Sequence, residues 1–251
     1  MPLLTVHLSI ISEILKEVSN SQLTDNIGVA LLGSTAPDRR VMTGEERSET
    51  HYFDLDTGKL GDGYEGMKNK HPELIQRTKD QGARAQAFII GYISHLIADE
   101  TWIVDVYRPF FGGEKYFGNN KLHNIFDRAL QYELEILVRQ KPDFVLASHN
   151  YLDNSDAPVI DESFISREII ESWRKFVLEA VFNRGNSWDE FPRFINRFLD
   201  EPDLDREKLE IYLSDPERML AEIHYGLPDL SIKQYYKDVV DKSLDIIEEI
   251  L

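Results

Sequence analysis

The chain has 251 residues, 42% of them hydrophobic and 29% charged, which is ample to bury a large core. Its 45 acidic against 28 basic residues give a formal charge of −17, which excludes broad nucleic-acid binding because such surfaces neutralise phosphates with clustered Lys and Arg. There is no cysteine, so disulfides, thiolate zinc sites, iron–sulfur clusters and cysteine nucleophiles are excluded, and a transition metal must be held by His and carboxylates.

The opening MPLLTVHLSI carries no Lys or Arg ahead of its apolar residues and no small-residue cleavage site follows, so a cytoplasmic protein is expected. No run approaches the ~20 apolar residues of a membrane span. From His7 to about Val18, Leu8, Ile11, Ile14 and Leu15 fall on one face of a predicted helix. From Gly33 to about Pro72 the pattern breaks into Gly, Pro, Asp and charged residues, TGKLGDGYEG among them, and predicts a long irregular region with a loop able to act as a lid. The stretch from about Gly82 to Val106 is apolar nearly all round, as a buried central helix would be. A further helix is expected from about Asn120 to Arg139, with Leu122, Ile125, Phe126, Ala129, Leu130 and Leu134 inward. After a turn-rich connector at Asn150–Pro158, helix-like segments follow at about 162–182, 188–199, 206–213, 216–223 and 231–251. Strand-like alternation is scarce, and no repeat is evident. The expectation is one all-α domain over residues 1–251, a multi-helix bundle with one core.

Polar residues inside the central apolar helix need a reason. His95 and Asp99, in GYISHLIADETW, lie four positions apart and so on the same helix face. A carboxylate among apolar residues is costly unless it is hydrogen-bonded, ion-paired or bound to a cation, so the pair reads either as a metal site or as a buried His–Asp hydrogen bond. His123 and Asp127 in KLHNIFDRAL repeat the spacing on a more polar helix, where a solvated pair is the plainer reading. Asp105 follows Asp99 by six positions and is a further candidate, with an ion pair to Arg108 as the alternative. Asp38 in GSTAPDRR sits in a turn, His51 in RSETHYFDLD stands beside Tyr52 and Phe53, and His7 lies early in the first helix. Taken together, His7, Asp38, His51, His95, Asp99, Asp105, His123 and Asp127 supply only N and O ligands, suited to Zn²⁺, Mn²⁺, Fe or Ni²⁺ and enough for two or three ions. His71, His149 and His224 read as structural or surface residues from their loop settings.

The order of these motifs, an early His, then GSTAPD, ETHYF, GYISHLIAD and HNIFD, resembles the zinc-dependent phospholipase C family, relatives of the P1-type nucleases, over roughly His7 to Asp127. The resemblance implies a helical bundle and a metal-dependent hydrolase acting on a phosphoester. It places Asp38, His51, His95 and Asp99 around one zinc ion, with Asp38 also orienting the attacking water as the catalytic residue. It sets His123, Asp127 and Asp105 around a second ion, and His7 beside a third that relatives complete with an N-terminal Trp, which this chain lacks. Asp at 105 and 127, where relatives carry His and Glu, makes that second site oxygen-rich and suited to Mn²⁺ or Mg²⁺. The expected partner is a small phosphorylated substrate, since a bound cation reverses the sign of the local field. Two other readings stay open: a metal that only staples helices, and a partner-binding helical protein whose His–Asp pairs are core hydrogen bonds.

Overall fold

The first helix, α1 (Leu4–Glu17), follows the predicted stripe closely: Leu8, Ile11, Ile14 and Leu15 are buried, and His7 is buried with them. The structure is a computed structural model that describes residues 1–18, 20–113, 116, 121–183, 187–201, 203–227 and 229–251. Among the described residues it is built from helices and turns, with no β-strand, as an all-α chain should be.

After a short helix α2 (Ser21–Thr24) comes α3 (Ile27–Thr35), which periodicity does not reveal. Every residue from Gly28 to Thr35 is buried, so the segment has no polar stripe to betray a helical period. The region expected to be irregular is largely helical too. A 3₁₀ turn (Ala36–Arg39) leads into α4 (Arg40–Thr43), followed by α5 (Arg47–Thr50), α6 (Asp62–Lys70) and α7 (Leu74–Gln81). These pieces are mostly too short for a pattern to emerge. Glycines at positive φ punctuate them, Gly44 at 74°, Gly61 at 95° and Gly82 at 86°, where a Cβ would be strained. The expected lid is pinned rather than free, because the buried Glu100 carboxylate accepts the backbone N–H of Gly61 at 2.8 Å and that of Gly63.

The central helix α8 (Ala83–Thr101) is buried over nearly its whole length and runs on into a π-helical stretch, Trp102–Phe111. Pro109, lacking an N–H, sits inside that stretch, and Gly112 N–H donates to the Tyr107 carbonyl at 2.7 Å. Contrary to the sequence expectation, Ala83–Phe111 is long and apolar enough by composition to cross a membrane; its most apolar window is 94% buried inside the protein, as a core helix is.

Helices α3 and α8 cross in backbone contact. A Cβ on Gly33 would lie 2.1 Å from the Phe88 carbonyl oxygen, and one on Gly91 would lie 2.1 Å from the Ala30 carbonyl oxygen. Only glycine permits that approach. Its consequence is positional: the Ser34 carbonyl at the end of α3 is delivered to His95 of α8.

The remaining helices wrap this pair. They are α9 (Leu122–Arg139), α10 (Pro142–Asp153), α11 (Arg167–Phe182), α12 (Phe191–Ile195), α13 (Arg206–Ser214), α14 (Pro216–Gly226) and α15 (Ile232–Ile250). The expected start of α9 at Asn120 lies outside the described residues. Helix α10 replaces the first part of the predicted connector, and α11 begins later than expected because the Ser166 hydroxyl caps it, accepting the Ile169 N–H at 3.3 Å. The single helix expected at 188–199 is broken into α12 between two 3₁₀ turns, Trp188–Glu190 and Asn196–Phe198. The fully buried Trp173 of α11 donates its indole N–H to the Thr35 hydroxyl at 3.0 Å, and Tyr235 of α15 donates to the Ala98 carbonyl at 3.2 Å. The second clamp falls on the helix that carries His95 and Asp99, and the first on the last residue of α3, three before Asp38.

Candidate metal centre

Five of the eight expected residues converge. His7 comes from α1, Asp38 from the 3₁₀ turn after α3, His51 from the residue ending α5, and His95 with Asp99 from one face of α8. The His51 and His95 Nε2 atoms stand 3.3 Å apart. Asp99 Oδ2 is 3.3 Å from His51 Nε2 and 3.6 Å from His95 Nε2, and Asp38 Oδ1 is 3.6 Å from His51 Nε2. His7 Nε2 lies 3.5 Å from Asp99 Oδ1, its ring stacked on His95 with centroids 3.8 Å apart. Two such overlapping groups can be drawn, His7–His95–Asp99 and Asp38–His51–His95.

The hydrogen bonds behind the rings decide which nitrogens face inward. His95 Nδ1 is 2.8 Å from the Ser34 carbonyl oxygen, which can only accept, so Nδ1 carries the proton and Nε2 presents a lone pair. Thr50 Oγ1 donates to the Arg47 carbonyl at 3.4 Å and lies 2.8 Å from His51 Nδ1, so that nitrogen donates and His51 Nε2 likewise presents a lone pair. Two lone pairs facing each other across 3.3 Å beside a carboxylate repel unless a cation lies among them.

The spacing suits such an ion. Two ligands bonded at ~2.0–2.1 Å to one tetrahedral ion lie about 3.3–3.5 Å apart, close to every separation given above. Both ring nitrogens of His7 and Asp99 Oδ1 are buried without a hydrogen-bond partner, an uncommon condition for polar atoms that a metal would relieve. A donor set of imidazoles and carboxylates matches zinc.

Asp99 is ionised in this setting. Burial works against the charged form, but in the metal-free protein, where His95 can take a second proton, the charge of that ring and the Arg47 guanidinium hold the carboxyl well below the usual range. Arg47, which sequence reasoning passed over, donates to Asp99 Oδ2 at 3.0 Å. Its position four residues before His51 was the available signal. His95 is raised although burial opposes it, through Asp99 and Asp38 and the bond to Ser34. His7 goes the other way: burial, then the charge of His95, lowers it to about 3 from 6.5.

A pH dependence follows for metal-free protein. The unfolded chain protonates His7 as pH falls below ~6.5, whereas the folded one holds it neutral down to about 3. Its contribution is therefore fully present above ~6.5 and lost progressively as pH falls, by up to about 1.4 kcal/mol per pH unit. Denaturant melts of chelated protein between pH 6 and 4 should show this slope, and His7→Phe should flatten it; an unchanged slope would mean that His7 already titrates freely in the folded state.

The other three expected ligands do not join the group. Asp105 is exposed and ion-paired to Lys242 of α15 at 3.1 Å, rather than to Arg108. The reason is rotational: six residues past Asp99 is a step of about 240° round a helix, and the π-helical stretch alters it further. Asp127 is buried, but its oxygens accept the Trp102 indole N–H at 2.9 Å and the Gln131 amide at 2.7 Å. His123 is half-buried, and no ion pair links it to Asp127 among the described residues. The oxygen-rich second site expected for Mn²⁺ or Mg²⁺ is thus not assembled among the described residues. Accordingly Asp105→Asn is expected to cost less than about 1 kcal/mol, the worth of a surface pair, and to leave metal content unchanged in elemental analysis.

The other histidines have plain roles. His71 packs against Tyr52 and Phe164, His149 against Phe182, and His224 pairs with Glu133 at 3.0 Å.

No curated protein and no solved structure matches the chain. The sequence model of one family, described as zinc dependent phospholipase C, matches residues 6–180, a span that contains all five converging residues and well over half of the chain. On that match the protein belongs to the zinc-dependent phospholipase C family.

Proposed function

We propose that the protein is a zinc-dependent phosphoester hydrolase whose centre rests on Asp38, His51, His95 and Asp99, with His7 and Asp99 able to hold a further ion. The observation that carries this reading is the convergence of inward-facing imidazole nitrogens and carboxylate oxygens at 3.3–3.6 Å, with orphaned buried atoms among them. Zinc, when bound, lowers the pKa of a coordinated water towards ~7 and draws charge from a phosphoryl oxygen.

The chain's own residues supply the rest. Ser34 and Thr50 fix the ring orientations of His95 and His51, and Arg47 keeps Asp99 anionic. Asp38 is the most open of the five, 25% exposed, and lines a cavity of about 290 Å³ whose walls include Leu3, Leu4, Val41, Trp173 and Phe176. The neighbouring His51 and His95 bring its carboxyl down to about 2 although burial opposes them, so it is a weak base. Its role is to accept a hydrogen bond from the attacking water and aim it, not to keep its proton. The apolar wall beyond it suits a substrate with an apolar group next to the phosphate.

The test is turnover of nitrophenyl phosphate mono- and diesters by zinc-loaded protein. Chelator-sensitive hydrolysis is expected, and Asp38→Asn should lose about 100-fold in kcat while binding to the ester changes little. Full zinc content with no hydrolysis across a broad ester panel would leave a metal that only staples helices.

A further inference from the structure

Arg39 stands beside Asp38 and is 2% exposed, a setting in which a guanidinium charge is costly unless it is paired. Its Nη2 donates to Glu45 Oε1 at 2.9 Å. Its Nη1 donates to the Tyr92 hydroxyl at 3.1 Å and, more weakly, to the Ala36 carbonyl at 3.4 Å. Tyr92 lies on α8, three residues before His95, and is fully buried. Its own hydroxyl proton goes to the Thr50 carbonyl oxygen. The direction of each bond is forced, because a guanidinium can only donate and a carbonyl can only accept. A buried guanidinium whose Nε has no partner adds little to core stability, and an apolar side chain would pack there at less cost. What Arg39 supplies is placement.

The chain of bonds ends on a ligand. Thr50 Oγ1 accepts from His51 Nδ1 at 2.8 Å, so the residue whose carbonyl Tyr92 holds is also the one that orients the His51 ring. The backbone on the other side of His51 is constrained as well. Tyr52 has a φ of 62°, a left-handed conformation that a bulky residue adopts at a cost, and a Cβ on Gly66 would lie 2.3 Å from its carbonyl oxygen. A strained segment relaxes unless the surrounding structure over-determines it, and Tyr92 supplies such a bond one residue before His51. One buried hydroxyl thus joins the turn that carries Asp38, the segment that carries His51 and the helix that carries His95 and Asp99.

We propose that Arg39 and Tyr92 are positioning residues: the Arg39–Tyr92–Thr50 hydrogen-bond chain sets how far Asp38 and His51 stand from His95 and Asp99, and with it the zinc affinity of the centre. The inference rests on the hydrolase reading above and adds two residues that act through Thr50 and the Ala36–Arg39 turn rather than on the ion. Without the Tyr92 hydroxyl, the Thr50 carbonyl and Arg39 Nη1 lose their shared partner at once. Asp38 and His51 then drift from α8, and ligand atoms spaced at 3.3–3.6 Å leave little room for drift.

Zinc affinity measured by competition with a chromogenic chelator tests it, with thermal melts of the chelated protein recorded for every variant. Tyr92→Phe keeps the ring, whose centroid lies 4.9 Å from that of Phe164, and removes the hydroxyl alone. It should bind zinc about tenfold more weakly. Arg39→Met should do the same, and Arg39→Lys, which keeps one donor for the hydroxyl, should recover part of the loss. Because the two residues act through one chain of bonds, the double variant should lose no more than the worse single variant, whereas independent effects would add. A merely structural role would lower the melts of the chelated variants and leave zinc affinity as in wild type. That result, or additive losses in the double variant, would overturn the proposal. Should Arg39→Met fail to fold, Tyr92→Phe and Arg39→Lys still decide it. Affinity that falls as expected in a protein that hydrolyses no ester would sustain the positioning chain and overturn the hydrolase. Unchanged affinity in variants of a protein that does hydrolyse esters would do the reverse, and a wild type that holds no zinc would overturn both.

Discussion

Asp99→Ala is expected to strip the metal from the protein and to destabilise it by about 3–5 kcal/mol, the range seen when one partner of a buried ion pair is removed. Asp99 is 1% exposed and stands within 3.6 Å of His7, His51 and His95 as well as Arg47. Its loss leaves the Arg47 guanidinium, already short of partners for Nε and one terminal nitrogen, without its carboxylate. It also removes the one anion common to all three imidazoles. Asp99→Asn keeps the shape and part of the hydrogen bonding, so its metal should be lost while stability falls by less. Urea unfolding and elemental analysis read both effects. A variant that retains a full complement of zinc would show that Asp99 is a packing residue.

The second large effect is expected from Gly91→Val. A Cβ at this position would stand 2.1 Å from the Ala30 carbonyl oxygen and 2.7 Å from the Ser34 amide nitrogen, both backbone atoms that no rotamer change can move aside. Helices α3 and α8 would have to separate, at a cost of about 3 kcal/mol or more. Because Gly91 lies one turn before His95, the separation also withdraws the Ser34 carbonyl from His95 Nδ1, and loss of such an outer hydrogen bond weakens metal binding about 10–100-fold. Gly58→Ala is the control: a Cβ there meets nothing within 4 Å, and neither stability nor metal affinity should change appreciably. Equal stability for Gly91→Val and wild type would refute the backbone contact between the two helices.

The contrast between these two residues shows what a sequence reveals. Asp99 announced itself, since a carboxylate four residues after a histidine in an apolar helix has few physical explanations. The long helices α1, α8, α9 and α15 were legible for a similar reason: three have one polar face, and α8 is apolar over more than four turns. Helix α3 was hidden because it is short and buried all round, although it supplies the closest packing in the fold and the carbonyl that orients His95. His51 and Asp38 were candidates only through their order along the chain; their approach to His95 depends on three short helical pieces with no readable period. Asp105 misled because spacing by six carries no common face, and the π-helical stretch that follows α8 has no sequence rule that would place it.

The most direct measurement of the central claim is anomalous diffraction at the zinc edge from crystals of the metal-loaded protein. The account predicts a strong peak enclosed by Asp38, His51, His95 and Asp99, and a further peak, where present, beside His7 and Asp99. A single peak at His123 and Asp127, or none near His95, would contradict it.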